Sequence, residues 1–354
     1  MADQAPRQAA HLRVRPDWLA RTDEPVIEPD LPLIDPHHHL WDRPGWPYGL
    51  DELLADLASG HRVVSTIFAE CRTRYRDAGP TELRSVGEVE FARSVATEAE
   101  RRGSVVRVCE GIIAHADLRR GVAVGPVIEA LKAASGGRLR GVRHSTAWDP
   151  DPVIANPELA TRPGMLVEPA FQDGVRLLGA SGLVFDAWVY HPQLAELAAL
   201  AEACPDTQIV LNHAGGPVGV GRYAADHERM RQEWHAGLRL ISQRQNIAIK
   251  LGGLAMRISG QRFHERPSPP GSEELAAAWQ KDVHLCLELF RPVRCMFESN
   301  FPVDKGSYGY RVLWNAFKRL AADLSPAGQH EVLAGTAARI YGLLEPVNTR
   351  GEAG

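Results

Sequence analysis

Eight short runs rich in β-branched and apolar residues recur along this chain, near 32–36, 62–70, 105–113, 138–143, 182–187, 207–212, 246–251 and 293–298. Helix-forming stretches separate them, among them Leu53 to Leu57, Val89 to Arg101, Gln193 to Ala203, Glu273 to Phe290 and Leu313 to Leu320. Strict strand–helix alternation implies parallel strands, because parallel neighbours must be joined by a long crossover. Eight such units fit a closed barrel. An open doubly wound sheet is the alternative, and it fits less well because no GxGxxG follows the first strand. The expected fold is α/β, a single (β/α)8 TIM barrel spanning 31–345. Residues 1–30 read as an N-terminal arm in which Pro25, Pro29 and Pro32 discourage helix. Residues 346–354 read as a flexible tail. Long connections near 71–87, 145–166, 214–225 and 252–272 are where a barrel would place its specificity.

The first strand ends in Asp35-Pro36-His37-His38-His39. Alternation along a strand puts His37 and His39 on one face and His38 on the other. Two imidazoles side by side at a strand end can hold a divalent metal or a substrate carbonyl. A histidine-rich surface turn ahead of Trp41-Asp42 has the same spacing, and spacing alone does not separate the two.

Composition narrows the class. Hydrophobic content of 44% with 24% charged residues suits an ordinary globular core, and a net charge of −4 gives no reason to expect nucleic acid or a membrane as partner. No apolar run reaches the roughly 18 residues of a membrane span. The N-terminus carries Arg7, Arg13 and Arg15 without an apolar stretch, which argues against secretion. Cys71, Cys109, Cys204, Cys286 and Cys295 are scattered with no CxxC, as expected of reduced thiols in a cytoplasm. Self-association into a homo-oligomer is left open.

Other strand ends supply candidates. Arg72, Arg74 and Arg76 alternate on the loop after the second strand and could grip a carboxylate. Arg143 ends an apolar-flanked strand, so its guanidinium must face the pocket or find a partner; His144 faces the other way. Asp186, Trp188 and Tyr190 alternate at the end of the fifth strand and could line the pocket mouth, while His191, before Pro192, is a weaker candidate. His213 ends the sixth strand. Lys250, between apolar neighbours, is expected to point inward towards an acid.

Four segments in order resemble the amidohydrolase superfamily, and most closely its amidohydrolase-related branch of lactonases and metal-dependent decarboxylases. They are Ile34 to Asp42, Gly141-Val142-Arg143-His144, Ile209 to Gly215, and Met296 to Val303. The resemblance runs over most of the chain and implies an amidohydrolase-like (β/α)8 barrel at 31–345 whose first strand ends in the HxH pair. It also places a functional histidine at His213. One departure stands out: the family's Gly-Ser-Asp-x-Pro on strand eight is here Glu298-Ser299-Asn300-Phe301-Pro302. Asn300 replaces the aspartate that serves as base or metal ligand. Glu298, two residues earlier, shares its face, and Asp304 lies just beyond.

Residues and resemblance together imply a hydrolase, lactonase in type, that opens a small carboxylate-bearing lactone or similar cyclic ester. His37 and His39 would polarise the carbonyl, directly or through a divalent ion, zinc or manganese. His213 would steady the oxyanion or orient water, and Glu298 or Asp304 would act as base. His37, His39, His213 and Glu298 are the expected ligands if a metal is bound. Arg143, Arg72, Trp188, Tyr190 and Asn300 would contact the anionic substrate. A metal-dependent decarboxylase of an unsaturated or aromatic acid is one alternative; a barrel that binds a ligand without turning it over is the other.

Overall fold

A computed structural model describes residues 11–156 and 159–345. Strand β1 (Pro32–His38) is followed by a small hairpin, β2 (Trp41–Arg43) and β3 (Trp46–Tyr48). The remaining strands are β4 (Arg62–Ala69), β5 (Arg107–Ala114), β6 (Leu139–Arg143), β7 (Val184–Ala187), β8 (Ile209–Leu211), β9 (Ile247–Leu251) and β10 (Cys295–Phe297). Leaving the hairpin aside, eight strands form one parallel sheet in chain order, β1-β4-β5-β6-β7-β8-β9-β10. The seam between β10 and β1 is closed by chain just past the two strands. His38 bridges Phe301, His39 N–H donates to Phe301 O at 2.7 Å, and Asn300 N–H donates to His37 O at 2.9 Å. The barrel is therefore nearly closed, and its seam is made of the residues that carry the candidate chemistry.

Period-two alternation builds the interior in layers. Ile34, Ile67, Ile113, Val184, Val210, Ala248 and Met296 form one apolar layer. On β6 the corresponding residue is Gly141, where a Cβ would lie 2.6 Å from Val184 O. Two residues further along, towards the strands' C-terminal ends, the inward positions become Arg143, Asp186, Asn212, Lys250 and Glu298. The apolar layer is stoppered by the C-terminal segment, which brings Ala334, Ala337, Ala338, Tyr341 and Leu343 against it.

Helices fill the crossovers, including Leu50–Leu57, Val86–Arg101, Leu194–Ala203, Ser272–Phe290 and Tyr310–Leu320. Helix Ser272–Phe290 begins with Glu273 and Glu274, favourably placed against the helix dipole. The arm differs from expectation in one place: Pro16–Leu19 forms a single helical turn, with proline at its first position where no N–H is needed. Pro25 and Pro29 lie outside it. The arm is tied down by Trp18 Nε1 donating to Arg266 O and Ile27 N–H donating to Asn315 Oδ1, at 2.9 and 2.8 Å. Residues 1–10 and the 346–354 tail lie outside the described residues. Among the described residues no helix is long and apolar enough to cross a membrane, and all five cysteines are free thiols.

Candidate active site

The alternation of the triple histidine holds, although the strand is interrupted. Between Asp35 and His38, β1 advances three residues while β4 advances two, a bulge centred on Pro36. His37 and His39 turn inward with their Nε2 atoms 3.3 Å apart, and His38 turns outward to Thr66 Oγ1 at 2.9 Å. Asp35 anchors the bulge to the far seam. Its buried carboxylate accepts from Ser299 Oγ at 2.6 Å, Ser299 N–H at 3.0 Å and Tyr310 O–H at 3.1 Å. Burial pushes this carboxyl up to about 6 despite the Ser299 bonds. By gripping Ser299, Asp35 fixes Glu298 relative to His37.

Glu298 is fully buried between two histidines. Its Oε1 accepts from the His213 ring Nδ1 at 2.7 Å and from the His213 backbone N–H at 3.0 Å. Its Oε2 stands 2.9 Å from His37 Nδ1 with no hydrogen bond aligned on it. The backbone here is shaped for this contact. His213 and Ala214 have φ of 53° and 51°, a left-handed conformation that costs about 1–2 kcal/mol per residue. Gly252 and Gly253 leave the space: a Cβ would lie 2.4 Å from Glu298 Cγ at the first and 2.7 Å from the His213 ring at the second. Trp188 packs edge-on against His213, ring centres 4.7 Å apart.

Donor chemistry fixes the histidine tautomers. His39 Nδ1 lies 2.8 Å from Ala69 O, a carbonyl that can only accept, so its Nε2 is a lone pair. Arg143 Nη1, which can only donate, lies 3.1 Å from His37 Nε2, making that atom a lone pair as well. Two acceptors thus converge beside a single guanidinium donor. Burial, followed by the Lys250 charge, holds His37 well below the usual histidine range, so its ring is neutral and free to act as a ligand. Among the described residues, His37, His213 and Glu298 are the three-group set whose ligand atoms all fall within 4.8 Å of one another. His39 stands just outside it.

Arg143 faces inward, but its fork is already occupied. Nε donates to Glu70 Oε1 at 2.8 Å and Nη2 to the Glu70 carbonyl, leaving Nη1 beside His37. The bidentate clamp on a substrate carboxylate expected of this residue is filled by Glu70 in this arrangement. On the loop after β4, Arg74 pairs with Asp42 and Arg76 with Glu90 at the surface. Arg72 instead lines a cleft of about 1080 Å³ together with Trp41, Arg43 and Trp46. His39 stacks on Trp41, so one ring separates that cleft from the histidines.

Asp304 is bonded to its own neighbours and not to the histidine pair. It accepts from Tyr308 O–H at 2.7 Å and from Asn300 Nδ2 at 3.4 Å, and burial pushes it up to about 8. Asn300 has φ of 54°, a conformation that asparagine tolerates better than most residues, and its amide is directed at Asp304. Asp186 sits below the site and not at the pocket mouth. It accepts from Lys250 Nζ at 2.6 Å, Tyr341 O–H at 2.7 Å and Asn212 Nδ2 at 3.1 Å. Lys250 does meet an acid, as expected of it, and that acid is Asp186. Tyr190 donates to Ile154 O, and His191 Nδ1 accepts from Val218 N–H, both in the surrounding loops. Sequence reasoning missed Asp35, Glu70 and Tyr341. Asp35 and Glu70 stood in view at strand ends as buried-type carboxylates; Tyr341 carried no local signal.

His38 provides a control. Its burial without a charged partner pushes it down to about 4, so an unfolded chain binds a proton below roughly 6.5 that the fold must exclude. Its contribution to stability is lost as pH falls from about 6.5 towards 4. His38→Ala should cost about 1–3 kcal/mol through the lost Thr66 bond and the cavity, flatten that acid limb, and leave turnover largely intact. Denaturant titrations across pH check this, and loss of turnover in a folded variant would contradict it.

Residues 34–343 match the amidohydrolase family. The chain is 27% identical over 337 residues to the uncharacterized protein y4mH of Sinorhizobium fredii, covering 88% of this chain and 99% of that one. It is 29% identical over 220 residues to an L-fucono-1,5-lactonase of Burkholderia multivorans, covering 61% of this chain and 67% of that enzyme. A crystal structure of an amidohydrolase from Burkholderia multivorans with bound zinc superposes with a TM-score of 0.68 at 24% identity, over 88% of this chain and 99% of that one. That likeness is one of fold.

Proposed function

The chain belongs to the amidohydrolase family and is a hydrolase of that type, and on that premise we propose that it opens a small carboxylate-bearing lactone or similar cyclic ester. The observation that carries this reading is the Glu298 carboxylate, buried between His37 and His213 with one oxygen lacking a hydrogen bond. That oxygen and the neutral His37 ring fit a divalent cation, which His37, His213 and Glu298 would hold with His39 alongside. The zinc in the similar Burkholderia multivorans structure supports the same reading. A bound zinc or manganese ion would supply Lewis acidity towards a carbonyl oxygen.

The chain's own groups then have distinct tasks. Arg143 Nη1, the one donor beside the two histidine lone pairs, orients the ester carbonyl. Glu298 takes a proton from the attacking water as the new C–O bond forms. The ring C–O bond breaks, and the same proton passes to the departing alkoxide, so lactone and water become a hydroxy acid. Arg72, on the wall of the large cleft, would attract an anionic substrate.

The test is metal analysis of purified protein together with turnover of a lactone panel before and after chelation. One zinc or manganese per chain, with activity lost on chelation and restored by the ion, is the expected result. A metal-free sample at full rate would reduce the histidines to hydrogen-bonding groups. Release of carbon dioxide from an unsaturated acid, with no lactone opened, would replace the hydrolase by a decarboxylase.

A further inference from the structure

Beside the Glu70–Arg143 pair lies a second chamber of about 70 Å³. Glu70, Arg72, His115, His144 and Ser145 line it, and Arg72 also lines the large cleft, so the two spaces share a wall. The chamber is far smaller than the large cleft, a side chamber fit for substituents of a ring seated there. The acids that line it already have cations. Glu70 is paired with Arg143, and Asp117 fills the fork of Arg119 at 2.7 and 2.8 Å.

What remains is hydrogen-bonding capacity. Ser145 Oγ is buried and has no partner. His144 Nδ1 accepts from Leu118 N–H at 3.1 Å, so its proton sits on Nε2, a donor. Burial, then the neighbouring His115, pushes His144 down to about 3, so that ring is neutral. His115 Nδ1 donates to Arg143 O at 3.1 Å, which leaves Nε2 as the ring nitrogen available to a ligand. The two rings meet edge to face, 5.3 Å between centres. One imidazole donor, a second imidazole nitrogen and one hydroxyl that both donates and accepts match an alcohol, which itself does both.

We propose that His115, His144 and Ser145 form a subsite that recognises hydroxyl groups on the substrate's ring, selecting polyhydroxylated over deoxygenated lactones. This rests on the lactonase reading for its catalytic test, though not for its binding test. Ser145→Ala is the informative variant. Its hydroxyl holds nothing in the protein, so the melting temperature should stay level or rise. Its kcat/KM for a six-carbon aldonolactone should fall about 10-fold, with that for an analogue lacking the recognised hydroxyl unchanged. His115→Phe, which removes the second ring nitrogen, should compress the same ratio. Titration calorimetry with the corresponding aldonate, the open-chain acid, reads the subsite without turnover. Weaker aldonate binding by Ser145→Ala at unchanged affinity for the deoxyaldonate supports the subsite even if no lactone is hydrolysed, an outcome that would remove only the lactonase reading. Equal losses for both ligands, no loss for either, or no aldonate binding by the unaltered protein would overturn the subsite.

Discussion

Glu298→Gln should lower kcat by at least about 10²-fold, the lower end of what general acid–base catalysis contributes, while KM changes little. The amide preserves volume and can still accept from the His213 backbone N–H. It cannot take a proton from water, and its NH2 sets a donor against either His213 Nδ1 or His37 Nδ1, both within 2.9 Å of the carboxylate. Asp304→Asn should be mild by comparison, because Asp304 is pushed up to about 8 and bonded to Tyr308 and Asn300. Restoring the family pattern with Glu298→Gly and Asn300→Asp should not recover the rate. Residue 300 is directed at Asp304, so a new carboxylate would meet a buried acid instead of the histidine pair. Steady-state kinetics on folded variants decide the matter. A near-normal rate in Glu298→Gln would remove this carboxylate from the chemistry, and a lethal Asp304→Asn would hand it the role of base.

The resemblance read in the sequence is borne out by the family match over residues 34–343, and the eight-strand alternation by the barrel itself. Both are legible because they depend on local signals: period two along strands, helices between them, and a motif at a strand end. The two-residue offset from Asn300 to Glu298 can be reasoned for the same cause, since residues two apart on a strand share a face. Pairings between distant segments leave no such trace. Arg143 visibly needs the pocket or a partner, but nothing near it in sequence points to Glu70. The β2–β3 hairpin escapes a sequence reading although Pro44-Gly45 marks its turn, because strands of three residues have too little alternation to register. The C-terminal stopper escapes it too, because small alanines, which suit a tight fit against the barrel floor, look unremarkable one by one.

The largest effect on stability should come from the buried pair beneath the site. Lys250 and Asp186 are wholly buried, with Nζ and Oδ2 2.6 Å apart. Removing one partner strands the other charge without solvent, which typically costs about 3–5 kcal/mol. Lys250→Met leaves the Asp186 carboxylate with only the Tyr341 hydroxyl and the Asn212 amide as donors. Asp186→Asn leaves an ammonium 3.5 Å from His37 Nδ1 and 5.0 Å from the Tyr341 ring centre, with no carboxylate bonded to it. Each single change should therefore be severe. The double change Lys250→Met with Asp186→Asn should cost far less than their sum, because no unpaired charge remains. Tyr341→Phe, which keeps the ring under Lys250 and removes one bond to Asp186, should cost only about 1 kcal/mol. Urea titration of the four variants measures the coupling. Additive single-variant costs would mean that solvent reaches the pair. Strong coupling would mean that the C-terminal segment, through Tyr341, seals a dry floor on which the His37–Glu298 contact is held.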